Sequence, residues 1–514
     1  MVFVAFSATA AAQTAGGAAT LPSGSARSLP SLGDNTDLSP AAERRIGDRI
    51  AASIYRDPDQ VDDPLLADYL QGLWQPLMAA ARARGELSAE LEERFAWELF
   101  LIRDRSINAF ALPGGYFGVH LGLISSVDSA DELAAVLAHE VSHVTQRHIA
   151  RLMTQQSRQA PWMIAAMVLG ALAASKSPQA GTAAMVGGQA LMAQGQLNFS
   201  RDMEREADRV GFGVMEDAGY ASRGISGMFE KLQQANRLND NGSFPYLRSH
   251  PLTTERIAEA QARVQLARPA AVPSAPQQAL VDKVQRLHAM MATRARVLAL
   301  PGVDVLRTLL ADARRKADAP APTARDAGVL YGGALAAAHL RDFSAARNLL
   351  DRLAPLAAGT GPAARAVQLL AVEVDLMEGK VPAAAAGADL GKAASRAELM
   401  LMSRALMAGN RAPEVSQALQ TWVAVHPRDA GAWQLLALAC GQQNLQVRAV
   451  RADAESRAAQ LDYSAALDRF KAAQGLLRAN PASADHVEAS IIDTRTRQVE
   501  SILKEQALQD KIDR

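Results

Sequence analysis

A single cysteine, Cys440, in 514 residues rules out an internal disulfide framework and any cysteine-based metal site. Its apolar surroundings fit a small buried hydrophobe. Charge of one sign is also missing: 54 Lys plus Arg face 54 Asp plus Glu, so nothing marks a polyanion or nucleic acid as the main partner. Long hydrophobic runs are absent as well. Residues 162–174 (WMIAAMVLGALAA) and the small, Gly-rich 183–193 fall short of the roughly 20 apolar residues that span a bilayer. Aromatics make up only 5%, while 49% of residues are hydrophobic and alanine is abundant, a balance that suits closely packed helices. The length exceeds what one core organises and implies two or three domains.

Against that background one short stretch carries chemistry: His139-Glu140-Val141-Ser142-His143. Leu133, Val136 and Leu137 recur before it at helical spacing, with Ser129 or Asp131 placed to cap the helix. On a helix His139 and His143 project from one face, one turn apart, where two imidazoles can bind one Zn²⁺. Glu140, beside the first, is positioned as general base toward a metal-bound water. A second helix, reading Ser200-Arg201-Asp202-Met203-Glu204-Arg205-Glu206-Ala207-Asp208, places Glu204 and Asp208 on one face. Glu206 points about 200° round from Glu204. This geometry offers Glu204 as third ligand and leaves the fourth position open to water. Asp208 is then placed to accept the free ring N–H of a ligating histidine.

The rest of the chain supplies the frame. Residues 1–36 open with an apolar run ending in small residues, where Ala10 and Ala12 suit an Ala-x-Ala cleavage site before Gln13, and continue Gly-, Ser- and Pro-rich, as expected of a signal-peptide remnant and flexible leader lacking its charged start. Helices are expected over residues 39–54, with Pro40 in the first turn, and over 63–81. Residues 97–102 read as a strand, and 108–124 as strand, turn, strand around Pro113-Gly114-Gly115. That hairpin, residues 110–119, suits either plain packing on the zinc helix or the grip of an extended peptide as an added strand. His120 falls on it, in a position more often structural than ligating. The apolar 162–193 stretch fits a buried hairpin or a flap over the site better than peripheral membrane contact. His250-Pro251 follows an irregular segment, and Pro251 holds His250 extended.

HEVSH, the SRDMEREAD stretch, NAFALPGG and Ser249-His250-Pro251 together resemble the zinc metallopeptidases of the HtpX and CAAX-prenyl-protease type, gluzincins with HExxH and a downstream ExxxD. The resemblance covers about residues 40–270. It implies one Zn²⁺ per chain held by His139, His143 and Glu204, Glu140 as catalytic base and Asp208 behind the ligands. His250 would lie near the metal, either donating to the developing oxyanion or occupying the open position as a fourth ligand that keeps the enzyme latent. Arg256 is a weaker oxyanion candidate. The multi-spanning members carry transmembrane helices that are missing here, so the chain is more similar to the exported branch that joins such a domain to tetratricopeptide repeats.

The expected fold class is therefore α+β, mainly α: a zincin-type domain with a small sheet over residues 37–267, a Pro-rich linker over 268–280, and an all-α repeat domain over 281–514. Asp342-Phe343-Ser344-Ala345-Ala346 recurs as Asp462-Tyr463-Ser464-Ala465-Ala466, the turn into a second repeat helix, and Trp433, Leu436 and Ala449 fit first-helix spacing. Residues 381–395 match no repeat. The resemblance implies an exported, periplasmic zinc endopeptidase in envelope quality control, peripheral to the outer membrane, whose repeats bind protein substrates such as outer-membrane proteins and their assembly machinery. The alternative is a chaperone-like assembly factor in which proteolysis is latent or secondary.

Overall fold

The structure, a computed structural model, describes residues 38–156, 201–237, 246–247, 250–266, 274–317, 323–359, 361–479 and 485–512. The leader and the apolar 162–193 stretch lie outside them. Helix α1 (Pro40–Tyr55) starts as its residues dictate, with the Ser39 hydroxyl accepting from the Ala42 N–H and Pro40 in the first turn. A two-residue strand β1 (Gln60–Val61) leads into α2 (Pro64–Ala83), capped by Asp63, which accepts from the Leu66 N–H at 2.9 Å. After a short helix α3 (Ala89–Arg94) come β2 (Glu98–Ile102), β3 (Ala109–Leu112) and β4 (Tyr116–His120).

The sheet order is β1-β2-β4-β3, with β2 parallel to β4 and the β3–β4 pair antiparallel, so β3 lies at an edge. Gly114 and Gly115 turn the hairpin at φ of +73° and +79°, which side-chain-bearing residues rarely adopt. A Cβ on Gly114 would stand 2.7 Å from the Arg44 Cα, so the hairpin tip also lies against α1. The expected second strand is shorter than residues 116–124 suggested. Leu121–Ser126 forms helix α4, in which the Ser125 and Ser126 hydroxyls donate back to the Gly122 carbonyl. A continuous apolar run does not by periodicity separate a buried strand from a buried helical turn.

Helix α5 (Ala130–Thr145) is buried along almost its whole length. Ser129 caps it, accepting from the Glu132 N–H, while Asp131 accepts from the Ala221 N–H instead. Helices α6 (His148–Gln156), α7 (Arg201–Asp217), α8 (Arg223–Arg237) and α9 (Thr254–Leu266) complete this half, and α7 and α8 pack on α5.

The remainder is all helical. Its first helix, α10 (Ala275–Leu298), begins within the 268–280 stretch read as linker, so residues 275–280 are helix and the connection is shorter than expected. Left-handed residues at Arg341, Asn410, Asn444 and Leu461 punctuate the helix pairs, and Asn410 and Asn444 stand about one 34-residue repeat apart. Asp342 and Asp462 cap the next helices alike, accepting from the Ala345 and Ala465 N–H groups. Residues 381–395 hold only a short helix (Val381–Ala385) and a 3₁₀ turn (Leu390–Lys392). Among the described residues no helix is long and apolar enough to cross a membrane.

The described residues belong to one compact unit. The main hydrophobic core among the described residues runs from Leu65 on α2 through α5 and α10 to Leu401. The His288 ring bridges the Tyr69 hydroxyl (2.6 Å) and the Val127 carbonyl (3.0 Å) across this junction. Arg294, 1% exposed, pairs with Asp63 at 2.6 Å and with Glu373 at 2.8 Å. Removing one partner of a buried ion network strands the others, so Arg294→Ala is expected to destabilise the chain by about 3–5 kcal/mol. Denaturant titration of the two proteins measures it.

Candidate metal centre

Helix α5 presents His139 and His143 on one face, and α7 crosses close to it. A Cβ on Gly211 would stand 3.1 Å from the Ala138 carbonyl oxygen, so the absence of a side chain there lets the two backbones approach. That approach brings Glu204, one face of α7, against the histidines. The two Nε2 atoms lie 3.0 Å apart. Glu204 Oε2 is 3.5 Å from His139 Nε2, and its Oε1 is 3.4 Å from His143 Nε2.

His250 joins them from the segment before α9. Its backbone N–H donates to the Tyr246 carbonyl and its ring stacks on the Tyr246 ring with centroids 4.6 Å apart. His250 Nδ1 is 3.0 Å from Glu204 Oε1 and 3.4 Å from His139 Nε2. Donor atoms of His139, His143, Glu204 and His250 thus all fall within 4.8 Å of one another, and all four residues are buried. Four lone-pair donors turned on one point in a dry interior suit a metal ion and little else.

Around them sits a second set of contacts. His139 Nδ1–H donates to Asp208 at 3.0 Å. Asp208 in turn accepts two hydrogen bonds from Arg256, at 2.6 and 2.8 Å. Burial alone would lower the His139 ring, but hydrogen bonds with Asp208 and Glu204 outweigh it and push its pKa up to about 10. Burial would raise Asp208; Arg256 and His139 instead hold it down to about 2. Glu204 is held far below the ordinary carboxylate range by His250, His139 and His143, against its own burial. Burial pushes His143 well down.

Glu140, 1% exposed, lies with Oε1 3.5 Å from His250 Nε2, and neither carboxylate oxygen has a hydrogen-bond partner among the described residues. A buried carboxylate left in that state is costly unless something fills the space before it.

Every residue singled out in the two helical motifs is therefore in or against the cluster. His120 is elsewhere: its ring meets the Ser106 hydroxyl at 2.9 Å and the Asn108 amide. Arg256 does not suit an oxyanion role, because Nε and Nη2 are engaged by Asp208 and Nη1 by the Pro251 carbonyl at 2.8 Å and by Glu204 at 2.7 Å. Tyr246 and His148 went unread in the sequence. Tyr246 carries no pattern of its own, and His148 stands five residues after His143, off the face shared by the histidine pair.

Two histidines one helical turn apart, a glutamate from a second helix and a buried carboxylate beside the first histidine have the chemistry that a metal-dependent peptidase needs. Comparison with known proteins agrees. The profile of Peptidase family M48 matches residues 69–264. The beta-barrel assembly-enhancing protease of Escherichia coli (strain K12) is 31% identical over 470 residues, 89% of each chain. A Vibrio cholerae counterpart is 33% identical over 330 residues, spanning 63% of this chain and 63% of that protein. The mitochondrial metalloendopeptidase OMA1 of Arabidopsis thaliana is 32% identical over 165 residues, 32% of this chain and 31% of that one. The chain belongs to peptidase family M48, the metallopeptidases.

Asp208→Asn keeps an acceptor for His139 but loses the charge that orients it, and is expected to weaken metal retention by about ten- to a hundredfold in chelator competition. In the metal-free protein Asp208 contributes stability above its unfolded pKa that is lost as pH falls from about 4 toward about 2. The Asn variant is expected to show less acid sensitivity in that window, read by unfolding at stepped pH.

Proposed function

We infer that this protein is an exported, periplasmic zinc endopeptidase acting on proteins of the outer membrane and envelope, with its helical array as a tetratricopeptide-type surface for substrates or assembly partners. One observation carries the chemistry: His139, His143, Glu204 and His250 converge with Glu140 beside them. Tetrahedral donors at zinc–ligand distances stand about 3.3 Å apart; five contacts among His139, His143, Glu204 and His250 measure 3.0–3.5 Å, with both Glu204 oxygens taking part, and one donor atom from each residue lies within 4.8 Å of the others. His139, His143 and Glu204 would hold the ion. When bound, Zn²⁺ supplies Lewis acidity toward the scissile carbonyl and lowers the pKa of water at the site toward about 7.

The chain's own groups do the rest. Glu140, with two uncommitted oxygens, takes a proton from the attacking water and passes it to the leaving amine. Asp208, steadied by Arg256, holds the His139 ring in its Nε2-ligating tautomer. Strand β3 lies at the sheet edge beside α5, which supports the residue 110–119 hairpin as the place where an extended peptide adds by backbone pairing, a recognition that accepts varied sequences. The outer-membrane role rests on the similarity to the beta-barrel assembly-enhancing proteases.

A second reading is favoured by His250. Its Nδ1 lies 3.0 Å from Glu204 Oε1 and 3.4 Å from His139 Nε2, which supports it as a fourth donor where a catalytic site keeps an open position. That supports the latch over the oxyanion role and makes the resting protein an assembly factor with latent proteolysis. Cleavage of an unfolded reporter by wild type, Glu140→Gln and His250→Ala, with zinc measured on each, separates these. Glu140→Gln is expected to lose about 10²–10⁴-fold in rate with zinc retained, and His250→Ala to cleave faster than wild type. Slower cleavage by His250→Ala returns it to the oxyanion role. Silence from all three with zinc bound favours the scaffold.

A further inference from the structure

Helix α5 does not run on into α6. Arg147, at φ +53°, breaks the path in the left-handed region, and its guanidinium is anchored by Glu43, itself 1% exposed, at 3.1 Å. The turn folds α6 back so that its first residue, His148, faces the ligand helix. His148 Nδ1 is 2.9 Å from His143 Nδ1, the nitrogen of His143 that points away from the donor cluster. On the other side of the ring His148 Nε2 is 3.1 Å from Glu206 Oε2, and Arg151 reaches the same oxygen at 2.9 Å. Both imidazoles are 0% exposed. Glu206, the acid on α7 that points away from Glu204, thus has a place in the site.

One arrangement of protons satisfies the contacts of this chain among the described residues. With His143 Nε2 turned toward the metal donors, its ring proton is on Nδ1 and must be donated. The atom facing it, His148 Nδ1, must then be the acceptor, which puts the proton of His148 on Nε2. That N–H points at a carboxylate, and Arg151 keeps the carboxylate in place. The left-handed turn, the buried ring pair and the Glu206–Arg151 pair are mutually consistent and fix one tautomer at each ring.

We propose that His148 is a positioning residue for the metal ligand His143, part of a His143–His148–Glu206 relay that orients the second histidine as Asp208 orients the first. The proposal rests on the zinc-site reading above. The two ligating histidines are then unequally supported. His139 donates directly to a carboxylate, whereas His143 donates to a neutral ring interposed before one, which transmits less electron density to the ligand.

The test uses the full chain stripped of metal and titrated with Zn²⁺ against a chelator, and with Co²⁺ to read the absorption of the ligand field. His148→Phe keeps the ring volume and loses both nitrogens. It is expected to bind zinc about ten- to a hundredfold more weakly and to shift the Co²⁺ spectrum. His148→Asn places an amide oxygen near the lost Nδ1 and is expected to restore most of the affinity and the wild-type spectrum. Glu206→Gln, on a half-exposed side chain that leaves the core untouched, is expected to weaken binding in the same direction and serves where His148→Phe does not fold. Zinc affinity and Co²⁺ spectrum unchanged from wild type in a folded His148→Phe, or in Glu206→Gln if the former is lost, overturn the relay alone. A wild-type chain that binds no zinc overturns the centre and the relay together.

Discussion

Two carboxylates on one helix, buried among imidazoles and cut off from water, lean on the guanidinium of Arg256. It grips Asp208 with two parallel hydrogen bonds and reaches Glu204 on the same helix. Burying an ionised carboxylate is costly unless it is paired and hydrogen-bonded, and this fork meets both conditions for α7 at once. It also ties α7 to α9, and α9 follows directly on the segment that carries His250. The orientation of Asp208, and through it that of His139, depends on that side chain, while His250 is also held by the Tyr246 carbonyl and ring.

The site was unusually legible in the sequence because its principal residues lie on helices at helical spacing. His139 with His143, and Glu204 with Asp208, are each one turn apart, so the pattern of a line of text already contains the pattern of a face. What the sequence does not contain is how the two faces meet. Gly211 makes the close approach possible, and nothing marks it out among other glycines. Arg256 looked like a donor for substrate and proves to be a clamp, since its partners come from a helix some fifty residues earlier in the chain. His148 escaped notice because a left-handed turn at Arg147, invisible to periodicity, folds it back onto the ligand helix. The same limit explains α4, where an apolar run without alternation left helix and strand indistinguishable.

The helical half was partly readable for the same reason. The recurring Asp-aromatic-Ser-Ala-Ala turn announced two helix starts whose caps the structure displays at Asp342 and Asp462. The equivalent turns at Asn410 and Asn444 were not recognised, because asparagine tolerates the left-handed conformation without the rest of the motif. Sequence reading also separated the two halves more sharply than the structure does. Composition shifts mark a boundary in the chain, whereas cores are defined by which apolar faces meet, and here α10 meets α2 and α4.

The shared core has a consequence for how the molecule is made. Synthesis proceeds from the N-terminus, so the histidines, the glutamates and the sheet emerge well before α10 and its followers. Until Arg294 arrives, Asp63 lacks the guanidinium that pairs with it, and the parts of α2 and α4 that meet α10 stay uncovered. The hydrolytic half therefore waits, incompletely consolidated, for residues translated later to close over it. A chain interrupted before α10 is therefore expected to be a poorly consolidated fragment, because part of the core that backs α5 is still missing.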